Sequence, residues 1–211
     1  MTIKHHPASE TLLAYSNGSL DVARSLVVAA HLESCPSCRQ RVASLETLGG
    51  VLMDNLEPTA MSDGALNRAL ALLDFETETK APALPSDLPN APEALRGAEL
   101  GAWRWIGPGT HYRPTNVVAP DGYRVFLLRS QAGSRLPHHT HTGIELTLTL
   151  KGAYEHEGGR FDAGDLEEAD GAIEHQPVVA EGEECICLVA MNGNLRLLGM
   201  MGRLLQPFVR L

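Results

Sequence analysis

Apolar positions recur every three or four residues in the first third of the chain and in short alternating runs through its last half. The first period is that of helices packed on one face, the second that of half-buried strands. Ser9 can cap a short helix through Tyr15 that stops at Gly18, and Ser19 or Asp21 can start a second through about Glu33, with Leu20, Ala23, Leu26, Val27 and Ala30 as its apolar stripe. Ser34 can cap a third, with Pro36 in the first turn and Val42, Leu45, Leu48 and Leu52 as its face. Ser62 or Asp63 can open a fourth, through about Asp74, whose Ala65, Leu66, Ala69, Leu70 and Leu73 share one side. After residue 95 the runs Tyr123–Arg129, Ile144–Leu150 and Glu184–Ala190 read as strands, separated by Asp121-Gly122, Gly158-Gly159, Gly164-Asp165 and Asn192-Gly193 turns.

The break between the two patterns is rich in proline. Pro82, Pro85, Pro89 and Pro92 remove backbone donors and bias the preceding residues away from helix, which predicts a solvated, semi-rigid linker. The expected organisation is an all-α segment over residues 1–76, a linker over 77–94, and an all-β sandwich or small barrel over 95–211.

Charge narrows the partners. Lys and Arg number 17 against 26 Asp and Glu, a formal net charge of −9. Such a chain is repelled by nucleic acid and anionic membranes and suits a basic protein surface. Residues 1–76 alone hold five basic side chains (Lys4, Arg24, Arg39, Arg41, Arg68) against nine acidic ones. No apolar run reaches the roughly 20 residues of a membrane span, and no apolar secretion signal follows Met1, so the expected compartment is the cytoplasm. The cysteines fall in two tight pairs, Cys35/Cys38 and Cys185/Cys187, a spacing for metal ligands or buried thiols rather than a disulfide framework.

His31, Cys35 and Cys38 form H-x3-C-x2-C across the junction of the second and third helices. Residues four apart on a helix lie one turn above each other, so the histidine faces the turn that carries the thiols. A helix N-terminus favours thiolate, the form that binds zinc. Three ligands leave a tetrahedral site one short. His5 and His6 are the other histidines of this half, and spacing does not choose between them. Short helices of this total length bury little apolar surface, and an ion can supply the missing folding energy. The fourth helix either completes that small core or offers its apolar face to a partner.

His6-Pro7, Leu12, Tyr15, Gly18 and the His31, Cys35, Cys38 triplet resemble the zinc-binding anti-sigma domain of bacterial anti-sigma factors. In that family the histidine before the proline is a ligand. The resemblance therefore implies one Zn2+ at His6, His31, Cys35 and Cys38, and a helical domain that grips an extracytoplasmic-function sigma factor.

The last half carries a second constellation: Gly133, His139, His141, Glu145 and Gly152 at fixed offsets, with His175 about 30 residues beyond. Two histidines two apart on a strand point to one side, and Glu145 returns to it past the Thr142-Gly143 turn. Three imidazoles and a carboxylate suit Zn, Fe, Mn or Ni. This spacing resembles the first motif of the cupins, and implies a double-stranded β-helix barrel with the ion inside. The second cupin motif departs from the pattern, with Asp170, Ala172 and Val179 at the expected proline, glycine and asparagine positions; His175 is retained. Trp103 and Trp105 alternate in a strand and read as packing, Cys185 and Cys187 read as buried strand thiols, and Asp165–Asp170 reads as a solvated turn; His5, His138 and His156 have no partner pattern.

A zinc anti-sigma domain, a proline-rich linker and a cupin together resemble the ChrR-type anti-sigma factors over nearly the whole chain. The resemblance implies a 1:1 complex with the sigma factor that blocks its association with core RNA polymerase, and release in response to singlet oxygen or organic peroxide sensed through the cupin. It implies no catalytic residue and no organic cofactor, with Zn2+ first among the ions for the barrel. The competing reading is a metal-dependent cupin dioxygenase with a helical interaction domain. A plain zinc interaction module for another protein is the third.

Overall fold

The computed structural model describes residues 2–73, 83–88 and 91–198. Four helices lead: α1 (Ser9–Ser16), α2 (Val22–Ser34), α3 (Pro36–Asp54) and α4 (Ala65–Leu73). Asp21, not Ser19, opens α2, its carboxylate accepting the N–H groups of Ala23 and Arg24 at 3.0 Å each. The expected caps Ser9 and Ser34 are displaced. Ser9 is the first residue of α1, with its hydroxyl accepting from Arg41 at 2.7 Å. Cys35 caps α3, its Sγ accepting the Cys38 N–H at 3.4 Å, with Pro36 following it. The cap that α1 lacks in its own sequence is supplied from far away: the Glu168 carboxylate accepts the Ala8 N–H at 3.0 Å and the Thr11 hydroxyl at 3.2 Å.

Eleven antiparallel strands follow in the described residues: β1 (Arg104–Gly107), β2 (Thr110–Val118), β3 (Arg124–Ser130), β4 (His139–His141), β5 (Glu145–Lys151), β6 (Ala153–His156), β7 (Gly159–Asp162), β8 (Leu166–Ala169), β9 (Val178–Val179), β10 (Cys185–Met191) and β11 (Leu195–Leu197). They make a six-stranded sheet β1-β2-β3-β10-β5-β8, a three-stranded sheet β7-β6-β9 and a two-stranded sheet β11-β4.

The central strand β10 of the six-stranded sheet is buried on both faces, which explains its nearly continuous apolar run. On one face Val125, Leu127, Leu146, Leu148, Leu188 and Ala190 join Ala23, Val27, Val28 and Ala30 of α2 in a single core. On the other, Phe126, Cys185, Cys187, Val189 and Met191 join Tyr154, Phe161 and Val179 in the barrel interior. Alternate residues of one strand thus serve two cores, and a one-residue slip of β10 would exchange them.

The Asp165–Asp170 stretch is not a solvated turn. Residues 166–169 form β8 at the sheet edge, Asp165 is 1% exposed, and Glu167 points inward and is buried. The edge is covered by the N-terminal segment: Asp165 accepts the N–H groups of Lys4 (2.6 Å) and His5 (3.0 Å), and Leu166 N–H donates to the His5 carbonyl (3.2 Å). The described part of the proline-rich stretch is docked as well. Leu88 is buried, Asp87 pairs with Arg113 at 2.9 Å, and Glu33 accepts the N–H groups of Glu93 and Ala94. Residues 74–76 and much of the expected linker lie outside the described residues.

Beyond Leu45 the helical half stops burying its apolar side chains. Of the expected α3 face, Val42 is buried and Leu45 half-buried, while Leu48 and Leu52 are exposed. No residue of α4 is buried.

Candidate metal centres

Two groups of ligand-bearing side chains converge, one at the α2–α3 junction and one in the barrel. In the first, His6, His31, Cys35 and Cys38 place one ligand atom each within 4.8 Å of the others. His6 Nδ1 lies 3.4 Å from Cys35 Sγ and 3.3 Å from Cys38 Sγ, and His31 Nε2 lies 3.4 Å from Cys38 Sγ. Those separations are near the edge of a tetrahedron whose corners sit about 2.0–2.3 Å from an ion. The other candidate for the fourth corner, His5, is elsewhere: its ring lies on Phe161 at 4.3 Å between centroids.

Each ligand is positioned by a different device. His31 is fixed by its other nitrogen, whose proton goes to the Gly164 carbonyl at 2.9 Å, so Nε2 keeps its lone pair for an ion. Gly164 reaches that place with φ +94°, and a Cβ there would come within 2.9 Å of Ile3. Cys35 and Cys38 sit at the cap and the first turn of α3. His6 follows the Lys4-His5 segment held by Asp165. Burial lowers the His31 pKa to about 4, opposed by the Gly164 carbonyl. Burial, a hydrogen bond with Cys35 and that neighbour's charge push the Cys38 thiol up to about 12. A neutral imidazole is ready to ligate, and a buried thiolate needs a cation beside it.

In the barrel, His139 and His141 project from the same side of β4, and His175 is clamped against them by reciprocal backbone hydrogen bonds with His139, 3.0 Å each. The His175 Nε2 lies 3.1 Å from His139 Nε2 and 3.2 Å from His141 Nε2. His139 gives its Nδ1 proton to the Pro137 carbonyl at 2.7 Å, which again frees Nε2. Burial lowers both His139 and His141 to about 4. The fourth expected ligand, Glu145, stands beside this group rather than in it. Its carboxylate lies 3.5 Å from His141 Nδ1 and accepts the Thr147 hydroxyl at 2.8 Å. Burial raises its pKa, so the carboxylate too calls for a nearby cation.

The departures from the second cupin motif have a local explanation. Asp170 closes its own turn, its carboxylate accepting the Ala172 N–H at 2.9 Å, and does without the proline.

Sequence reasoning missed the polar group behind His175. Tyr154 donates its hydroxyl proton to Glu167 Oε2 at 2.6 Å, while His156 Nε2 and His175 Nδ1 lie 2.9 and 3.5 Å from Glu167 Oε1. Burial alone would raise the Glu167 pKa, but contacts from His156, His175 and Tyr154 outweigh it and hold the carboxyl well below the usual range. Alternation along β6 and β8 was the available signal, since both put every second residue inside.

The His139–His175 side opens on a cavity of about 500 Å³ walled largely by apolar groups such as Phe126, Leu128, Leu136 and Met191. Cys185 and Cys187 line it as free, buried thiols with sulfurs 3.6 Å apart. Trp105 stands at the cavity and is exposed, a correction to its reading as packing; Trp103 does pack, with the Arg113 and Arg129 guanidinium groups over its ring. Among the described residues no helix is long and apolar enough to cross a membrane.

Residues 95–194 match the family model described as the ChrR cupin-like domain. The chain is 42% identical, over the full length of both, to the anti-sigma-E factor ChrR of Cereibacter sphaeroides. It is similar, with a TM-score of 0.74 and 39% identity, to a chain in the crystal structure of Rhodobacter sphaeroides SigE in complex with the anti-sigma ChrR, covering 90% of this chain and all of that one.

Proposed function

The chain belongs to the ChrR family of anti-sigma factors, and from that premise we propose that it holds an extracytoplasmic-function sigma factor in a 1:1 cytoplasmic complex and keeps it from core RNA polymerase. One observation carries the reading. Ten of the fifteen exposed large apolar side chains among the described residues lie between Leu48 and Leu73, on the second half of α3, on α4 and on the segment joining them. A run of that size on a water-facing surface marks a protein interface. The acidic balance of residues 1–76 suits a partner that is basic where it meets DNA.

The ion at His6, His31, Cys35 and Cys38 is Zn2+, the choice of a closed two-histidine, two-cysteine tetrahedron. It locks the start of α3 to α2 and thereby aims the apolar surface. The barrel ion, held by His139, His141 and His175 with Glu145 adjacent, is Zn2+ before Fe, Mn or Ni. We read the barrel as the sensing half, releasing the sigma factor on exposure to singlet oxygen or organic peroxide, and not as a catalyst.

Co-expression with the cognate sigma factor tests the first part. Wild type should elute as an equimolar complex. Leu66→Glu with Leu70→Glu should weaken it by at least tenfold, because a buried charge is left at the interface. The thermal midpoint of the free chain should barely move, since neither side chain is buried at present. A complex of undiminished affinity would put the interface elsewhere. The purified complex also tests the sensing role. A singlet-oxygen photosensitiser or an organic hydroperoxide should dissociate it, while iron-loaded protein turns over neither small diketones nor thiols. Sustained turnover would make the barrel an enzyme.

A further inference from the structure

His175 presents a nitrogen to each of two groups. Its Nε2 faces His139 and His141, and its Nδ1 faces Glu167. We propose that Glu167 is a positioning residue for the barrel ion: it accepts the Nδ1 proton of His175, so that the Nε2 lone pair points to the ion, while Tyr154 and His156 fix the carboxylate. The inference rests on reading His139, His141 and His175 as a metal centre.

Proton accounting carries it. A neutral imidazole has one proton, and a ring that ligates through Nε2 must carry it on Nδ1. For His139 the acceptor is the Pro137 carbonyl and for His31 the Gly164 carbonyl, both neutral. The Nδ1 of His175 is buried without a formed hydrogen bond among the described residues, and the Glu167 carboxylate stands 3.5 Å from it. A charged acceptor makes the ring a more basic ligand than a carbonyl does.

The same accounting decides the role of His156. Its Nδ1 accepts the Gly158 N–H at 3.0 Å, so the neutral ring carries its proton on Nε2, 2.9 Å from Glu167. It therefore turns its N–H side to the carboxylate, close to it but not aligned as a hydrogen bond. Although His156, Glu167 and His175 lie close enough together to suggest a second ion site, His156 would have to become an imidazolate to serve there. Tyr154 donates to the other carboxylate oxygen. The Tyr154 hydroxyl holds one oxygen of the Glu167 carboxylate, His156 stands 2.9 Å from the other, and β8 holds the backbone in the sheet.

The test uses full-length protein and Co2+ as the probe, with barrel affinity measured by chelator competition and the visible spectrum of the bound ion recorded. Glu167→Gln keeps the shape and removes the charge. It should weaken barrel binding by about 10–100-fold and shift the ligand-field bands, while the site at His6, His31, Cys35 and Cys38 keeps its affinity. Tyr154→Phe should weaken binding in the same sense by a smaller factor, and it carries the test if Glu167→Gln does not fold. Variants that lower only the unfolding midpoint, with affinity and spectrum unchanged, would reduce Glu167 to a buried structural group and overturn the proposal. A wild-type barrel that takes up no divalent ion would instead overturn the metal reading beneath it.

Discussion

Cys38→Ser should yield a chain that carries one ion fewer, retains its barrel and no longer holds a sigma factor. The loss is large because an ion at this cluster would join α3 to α2 and to the segment ahead of α1. Cys35 and Cys38 are both buried, and they connect α3 to His31 of α2 and to His6 ahead of α1. Structural zinc of this kind contributes on the order of 10 kcal/mol to the folding of small domains. Here the damage should be confined. α2 is buried against the six-stranded sheet through Ala23, Val27, Val28 and Ala30 and survives, whereas α1 and α3, which meet through Leu12 and Val42, come loose. Native mass spectrometry should count one zinc fewer, far-UV circular dichroism should lose helix but not strand signal, and the sigma factor should fail to co-purify. A zinc-free variant that still bound the sigma factor would make the ion irrelevant to inhibition.

Asp165→Ala comes second in expected magnitude. The Asp165 carboxylate accepts three backbone N–H groups, from Lys4, His5 and Asp162, the last at 2.9 Å. Alanine leaves those three donors unpaired in a part-buried place, which costs about 1 kcal/mol apiece where water reaches them and on the order of 3 kcal/mol together. The variant should also bind zinc more weakly, because His6 is delivered by the two residues that Asp165 holds. Chemical denaturation and zinc competition, run side by side, should show both losses. Weakened folding with wild-type zinc affinity would mean that His6 is positioned by something other than its anchored neighbours.

The helical cluster of candidate ligands was legible in the sequence because its geometry is local. His31, Cys35 and Cys38 lie within eight residues, one turn before, at, and one turn after the junction of α2 and α3, so that short-range geometry brings them close. His6 was open between two neighbours until the family resemblance pointed to it, and the choice is made in space by Asp165, a residue 160 positions from His5. The same distance hid the acidic run after Gly164. Its composition reads as solvent-facing, yet Asp165 serves the N-terminal segment, Glu167 the barrel and Glu168 the start of α1. Local pattern carries no information on such partners. Glu145 shows the converse: its spacing marked it as a ligand, and its position beside His141 is set by the Thr147 hydroxyl on its own strand.

The five residues from Gly164 to Glu168 touch the surroundings of both candidate clusters at once. The Gly164 carbonyl orients His31, and three residues later the Glu167 carboxylate faces His175. The helical cluster and the barrel cluster are therefore joined by a route one strand long, through backbone already locked in a sheet. The spacing of the two clusters is thus fixed by this short girder, independently of the docked contacts that Asp87 and Leu88 make in the proline-rich stretch.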